Sequence, residues 1–246
     1  MIVHEMSTIG ESVLRNQQAV LIGLSIRNNY FKEDTIEELT RWASNNFGSL
    51  VFMLPDVPAM DTLCGLGYPF TKAREKAMLA CNNLENKCQR IINKLDIAEK
   101  ANIVRWAHLE GNSVYRKSFS RLSELYKNDD LFRKDARNAT RHVMLSQETV
   151  LPIEESIDVG VGFLLKELSF IAAASEVLEL ACATAYLYHR PMPVLHKLLS
   201  GQYAYSPSSM NGYIICEVES RQASLEQAIV EQAPLVPSKA LKTSRV

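Results

Sequence analysis

Six consecutive apolar residues, Ala19-Val20-Leu21-Ile22-Gly23-Leu24, stop abruptly at the polar stretch Ser25-Ile26-Arg27-Asn28-Asn29. A run so short and uniform has no polar face to offer to water. It reads as a strand covered on both sides, the situation of a central strand in a parallel sheet. Covering both sides requires helices, and the chain supplies them in alternation. The stretch Asp34 to Asn46 reads as a helix capped by Asp34, with Ile36, Leu39, Trp42 and Ala43 on one face. Leu50 to Leu54 reads as a second apolar strand, stopped by Pro55 and Pro58. A long helix over about 71–95 and a third strand over 102–108 follow. This β-α-β-α-β order predicts an α/β fold: an open parallel sheet flanked by helices.

Beyond it, Phe119 to Lys127 and Leu131 to Leu145 read as helices. A break at Val150-Leu151-Pro152 precedes a strong helix from Glu154 to Ala174. Ala181 to Tyr188 reads as a strand, followed by a helix ending at Leu199 and a strand from Tyr213 to Val218. No repeat or composition break divides the chain, so one domain over residues 1–246 is expected, with a frayed tail from about 224. At 47% apolar residues the chain can offset its ordering entropy, which excludes a disordered protein. No stretch approaches the roughly 20 apolar residues of a membrane span. The first residues lack the apolar core of a secretory leader. Five cysteines, odd in number and without metal-type spacing, suit reduced thiols in a cytoplasmic protein.

The net charge of −1 argues against a nucleic-acid partner only until it is divided. Residues 72–141 hold 16 basic and 9 acidic side chains, an excess of seven that leaves the remainder at −8. Within that window Lys87, Arg90 and Lys94 are spaced to share one helix face, as a phosphate-binding surface requires. A solvated basic face is the ordinary alternative.

Ser25 would stand at the carboxyl edge of the sheet, where open α/β folds bind ligands, and Gly23 would let a substrate approach the backbone. A turn serine is the plain alternative. Glu167 lies among Leu164, Leu165, Leu168, Phe170 and Ile171, so its carboxylate needs a cation, a donor or a raised pKa. Lys166 beside it reads as the part of that turn facing water. Tyr188-His189 closes a strand and brings two proton-capable groups toward Ser25. Gly160-Val161-Gly162 lacks the third glycine and preceding strand of a dinucleotide site. No P-loop, Gly-x-Ser-x-Gly elbow or zinc-type His/Cys spacing is present. No cofactor and no metal are expected.

Three segments together resemble the cyclodipeptide synthases. The first is Gly23-Leu24-Ser25-Ile26-Arg27-Asn28-Asn29-Tyr30-Phe31, similar to the family's nucleophile segment. The second, Phe163-Leu164-Leu165-Lys166-Glu167-Leu168-Ser169-Phe170, is similar to a Tyr-x-x-x-Glu-Leu-Pro-Phe helix. The third is the pair Tyr188-His189. The resemblance covers roughly residues 14 to 220, and Asn28, Tyr188 and His189 look like the family's Asn-Tyr-His subfamily. One departure stands at Phe163, where the family has a tyrosine whose hydroxyl helps to position the aminoacyl group.

The resemblance implies a Rossmann-type fold similar to the catalytic domain of class I tyrosyl- and tryptophanyl-tRNA synthetases. It also implies two aminoacyl-tRNAs as substrates and a 2,5-diketopiperazine as product, by a ping-pong route through an aminoacyl-enzyme on Ser25. Glu167 would then anchor the substrate ammonium, Tyr188 would hold the aminoacyl group, and Asn28 and His189 would orient both. Lys87, Arg90 and Lys94 would fall on the helix that grips tRNA. Leu21, Gly23, Leu122, Phe170 and Tyr186 would line the pocket of the first residue, a mostly apolar set that favours an apolar or aromatic amino acid. A monomer is expected. The competing readings are a serine hydrolase or other aminoacyl transferase using Ser25, and a non-catalytic tRNA-binding protein.

Overall fold

The computed structural model describes residues 1–147, 154–205, 207 and 210–218. Among them, six strands form one sheet in the order β1-β6-β5-β2-β3-β4. The strands are β1 (Ile2–Met6), β2 (Ala19–Gly23), β3 (Ser49–Leu54), β4 (Ala101–Arg105), β5 (Thr184–Tyr188) and β6 (Asn211–Glu217). Pairing is parallel from β4 through β3, β2 and β5 to β6, whereas β1 runs antiparallel along the β6 edge. The expected parallel sheet therefore gains one antiparallel edge strand.

The apolar runs are explained by two-sided burial. Leu21, Val51, Met53, Tyr186, Tyr213 and Ile215 enter one cluster, and Val20, Ile22, Phe52, Leu187 and Ile214 enter the other. Successive residues of each strand thus feed opposite faces. The second face is covered by α1 (Thr8–Arg15), α2 (Glu33–Asn46) and α4 (Phe70–Leu95), which contribute Val13, Ile36, Leu39, Leu84 and Ile91. The first is covered by α5 (Ser113–Asn128), α6 (Asp130–Gln147), α7 (Glu154–Ala172), α8 (Ala174–Val177) and α9 (Pro193–Leu199). α3 (Asp56–Gly65) packs between α4 and α7.

Several boundaries differ from the sequence reading, each for a local reason. β1 and α1 were not expected, because an edge strand exposed along most of its length carries no apolar alternation. Its charges and a register shift between Val3 and Glu5 protect the edge. α3, which the sequence reading did not include, begins at the prolines read as the stop of the second strand; Pro55 is the cap and Pro58 lies in the first turn, where no intrahelical N–H is needed. α2 starts at Glu33, so Asp34 supports the helix from its first turn rather than as its cap. α5 starts six residues earlier than Phe119, capped by the Asn112 side chain on the Tyr115 N–H at 2.9 Å. The third strand ends at Arg105, and Trp106–His108 forms a 3-10 turn. β5 begins at Thr184 rather than Ala181, and α7 stops at Ala172. The Val150-Leu151-Pro152 break and the tail from 224 lie outside the described residues. No helix among the described residues is long and apolar enough to cross a membrane, and all five cysteines are unbonded.

Candidate active site

The chain leaves β2 in one direction toward β3 and β4, while β5 and β6 lie on its other side. The carboxyl ends of β2 and β5 therefore flank the switch point of the sheet, where a crevice opens in this architecture. Ser25 follows β2 directly, and Tyr188-His189 closes β5. Parallel register puts Leu21 opposite Tyr186 and Ile22 opposite Leu187.

The Ser25 Oγ and the Tyr188 hydroxyl lie 2.9 Å apart and share a hydrogen bond. The Asn28 side chain lies close enough to this phenol to oppose the rise in its pKa. The Asn28 Oδ1 accepts from the Tyr30 N–H at 2.9 Å, which fixes the turn that follows Ser25. Burial first, then the nearby Glu167 charge, pushes the Tyr188 phenol up to about 12, so it stays protonated near neutrality.

The loop after Ser25 is held by rings. Tyr30 stacks on His189 at 4.1 Å and 10°, and Phe31 meets His189 edge-on at 5.1 Å. The Tyr30 hydroxyl accepts from the Val218 N–H at 3.0 Å, tying this loop to the end of β6. Burial pulls the His189 ring down to about 4, with Arg190 adding to the effect. Both ring nitrogens are buried without a hydrogen-bond partner among the described residues. His189 is thus a neutral, stacked ring that pins the loop after Ser25.

Glu167 projects from α7 and accepts a hydrogen bond from the Tyr186 hydroxyl at 3.0 Å. Desolvation raises its carboxyl from 4.5 to about 7, against the opposing effect of that bond. An arriving ammonium would restore the carboxylate. Gly23 makes the arrangement possible: a Cβ there would stand 2.2 Å from the Tyr186 oxygen and 2.5 Å from its Cζ. Gly23→Ala is therefore expected to lower stability by about 1–3 kcal/mol through overpacking, read as a lower midpoint in urea with an unchanged slope.

A groove of about 240 Å³ opens beside Ser25, lined by Arg27, Asn28, Lys32, Asn83 and Lys87 among others. Of the basic helix residues, Lys87 reaches this groove. Arg90 is bound by Glu33 at 2.6 Å and Lys94 by Glu37 at 2.7 Å, so α2 holds two of the three cations. Leu21, Leu122 and Phe170 are fully buried, and Tyr186 is 1% exposed. Phe163 packs with Ile26 against Ala59, Leu63, Ala73 and Ala77, an apolar setting between α3, α4 and α7. Lys166 does not face open water: it pairs with Asp61 of α3, a half-buried contact that the flanking sequence does not announce. The tether made by Tyr30 was also not anticipated, although an aromatic pair so close to Ser25 is a visible signal. Among the described residues no group of three His, Cys, Asp or Glu side chains could hold a metal.

The model of the cyclodipeptide synthase family matches residues 2–218. A cyclo(L-leucyl-L-leucyl) synthase of Bacillus subtilis is 24% identical over 226 residues, 89% of this chain and 90% of that protein. The crystal structure of a cyclodipeptide synthase from Bacillus thermoamylovorans superposes with a TM-score of 0.80 at 23% identity, covering 87% of this chain and 94% of that one. A cyclodipeptide synthase from Candidatus Glomeribacter gigasporarum, bound to Phe-tRNAPhe, gives 0.56 at 12% identity, covering 96% and 97%. Tyrosyl-tRNA synthetase from Archaeoglobus fulgidus gives 0.52 at 12%, covering 88% of this chain and 64% of that one.

Proposed function

The chain belongs to the cyclodipeptide synthase family, and we propose that it makes a 2,5-diketopiperazine from two aminoacyl-tRNAs by a ping-pong route through Ser25. The observation that carries this reading is the 2.9 Å contact between the Ser25 and Tyr188 hydroxyls, beside the half-buried Glu167 carboxyl that the Tyr186 hydroxyl holds. An aminoacyl-tRNA is already an activated ester, so a held serine and a protonated phenol suffice for acyl transfer. The Ser25 Oγ attacks the ester carbon, the carbon–oxygen bond to the ribose breaks, and the serine proton ends on the released hydroxyl. The amino group of the second aminoacyl-tRNA attacks the acyl carbon, and the proton it sheds goes to the freed Ser25 oxygen. Ser25 then takes the dipeptidyl group from this tRNA, whose ribose hydroxyl leaves with the serine proton. Attack of the dipeptide's free amine on the new ester closes the ring and returns Ser25 with its proton. Glu167 holds the ammonium of the first residue, Tyr188 its acyl group, and Asn28 and His189 fix Tyr188 and the loop. These last three residues make up the Asn-Tyr-His trio of the proposed subfamily. Phe163 supplies packing where a hydroxyl would otherwise stand.

The reading places the protein in the cytoplasm, where charged tRNA is available, as a monomer with one catalytic domain. Its direct test is expression in a bacterial host followed by mass spectrometry of the medium. A cyclic dipeptide that disappears in Ser25→Ala supports the reading; a medium identical to the empty-vector control sinks it.

The ion pairs on α4 refine the tRNA surface. Lys87 contributes its full charge in the groove, while Arg90 and Lys94 must exchange Glu33 and Glu37 for phosphate. Lys87→Ala is expected to weaken tRNA binding about five-fold at moderate salt and to reduce the slope of log K against log salt by about 1. Glu33→Gln should tighten binding about two-fold, since an exposed pair holds Arg90 only weakly. Fluorescence anisotropy with labelled tRNA across a salt series reads both.

A further inference from the structure

The space around Gly23 has an occupant. Gly23 is the last residue of β2, two positions before Ser25, and the phenol end of Tyr186 stands where a side chain on residue 23 would begin. A Cβ on residue 23 would be 2.2 Å from the phenol oxygen, 2.5 Å from Cζ and 2.6 Å from Cε2. Three constraints fix the ring there. Its hydroxyl donates to Glu167 Oε1 at 3.0 Å, its face stacks on Tyr188 at 5.7 Å and 21°, and the residue is 1% exposed. Leu21, Leu122 and Phe170, which belong to the same apolar cluster, are each 0% exposed. The groove beside Ser25 is bounded instead by the 25–32 loop and α4, and Tyr186, Leu122 and Phe170 are not part of its lining.

We propose that Tyr186 sets the size of the first amino acid, its phenol taking the volume that a side chain larger than that of alanine or serine would need. The inference rests on the acyl-transfer reading above and names the substrate class of that site. An acyl group joined to Ser25 whose ammonium reaches Glu167 must lie along Tyr186, because Tyr186 is bonded to the same carboxylate. A leucyl or phenylalanyl side chain entering there has to displace a ring that is hydrogen-bonded, stacked and buried. Filling an already packed site is penalised, and each misfitting carbon group changes selection about ten-fold or more. The first residue is therefore small, in place of the apolar or aromatic residue that the composition of the pocket suggests.

The test uses the full chain with tRNAs charged with alanine, serine, leucine or phenylalanine, and follows acylation of Ser25 by intact-protein mass spectrometry. The wild type is expected to form the alanyl or seryl adduct at least ten-fold faster than the leucyl and phenylalanyl ones. Tyr186→Leu, which shortens the ring to an alkyl chain, is expected to raise leucyl acylation relative to alanyl by ten-fold or more. Tyr186→Phe keeps the ring and so keeps the small-residue preference, while the pH midpoint of acylation rises because Glu167 loses its donor. Thermal melts of the variants confirm folding. The proposal is overturned by leucyl or phenylalanyl adducts forming in the wild type as fast as alanyl ones, or by an unchanged ratio in Tyr186→Leu. Either result leaves acyl transfer itself standing. No adduct on Ser25 from any of the four, in any variant, overturns both readings together.

Discussion

Replacing Ser25 with alanine is expected to eliminate the aminoacyl-enzyme and to lower diketopiperazine formation by more than about 10³-fold, equivalent to about 4 kcal/mol of transition-state stabilisation. The fold should tolerate the change. Ser25 is half-buried and shares one hydrogen bond, with Tyr188, so its loss costs about 1 kcal/mol of stability. tRNA affinity should be retained, because a phosphate backbone is expected to be met by cations such as Lys87, which lines the groove, and not by the serine hydroxyl. That pair of results separates the competing readings. A tRNA-binding protein without chemistry would show no adduct in the wild type either, and a simple esterase would acylate from small esters without tRNA. Full product formation by Ser25→Ala would remove the serine from the mechanism. Tyr188→Phe should be milder: the ring remains to stack on Tyr186 and to touch His189, and only the hydrogen bond to Ser25 is lost.

The parts of this fold that were legible in the sequence are those that bury both faces. β2 and β3 are apolar at almost every position because both sides of the sheet are covered, and their parallel pairing follows from the helices between them. The elements that escaped are those stabilised from outside their own sequence. β1 is held by its register on β6, and its helix α1 is fixed by a Ser7 cap that also receives the Tyr213 N–H. In the site, the residue types of Ser25, Glu167 and Tyr188 were visible, but the connections were not. No local pattern shows that Tyr186, two residues before Tyr188 on the same strand face, reaches Glu167 across the space left by Gly23. Nor does the basic spacing on α4 show that Glu33 and Glu37, from another helix, already occupy Arg90 and Lys94.

Glu167→Gln is expected to reduce acylation of Ser25 by about 10²-fold and, at the same time, to stabilise the protein at alkaline pH. The two effects share one cause. The Glu167 carboxyl is raised from 4.5 to about 7 by desolvation, so the fold holds its neutral form more favourably than its charged form. Between these values the unfolded chain has released the proton and the native chain keeps it, so stability falls as pH rises. The contribution is fully present below about 4.5, is lost through about 7, and amounts to as much as about 3 kcal/mol. Glutamine cannot ionise, so the variant should lack this loss, and urea midpoints at pH 5 and pH 8 should lie closer together than in the wild type. Catalysis runs the opposite way. An ammonium is held only by the carboxylate, so kcat/KM for acylation should rise with pH up to about 7. It should fall again as the substrate amine, with an ordinary pKa near 8, loses its proton. In Glu167→Gln the acid limb should vanish along with most of the rate. A variant both more stable at pH 8 and nearly inactive would identify Glu167 as a poorly solvated charge retained for its ligand. Equal loss of stability and activity would make it a structural residue instead.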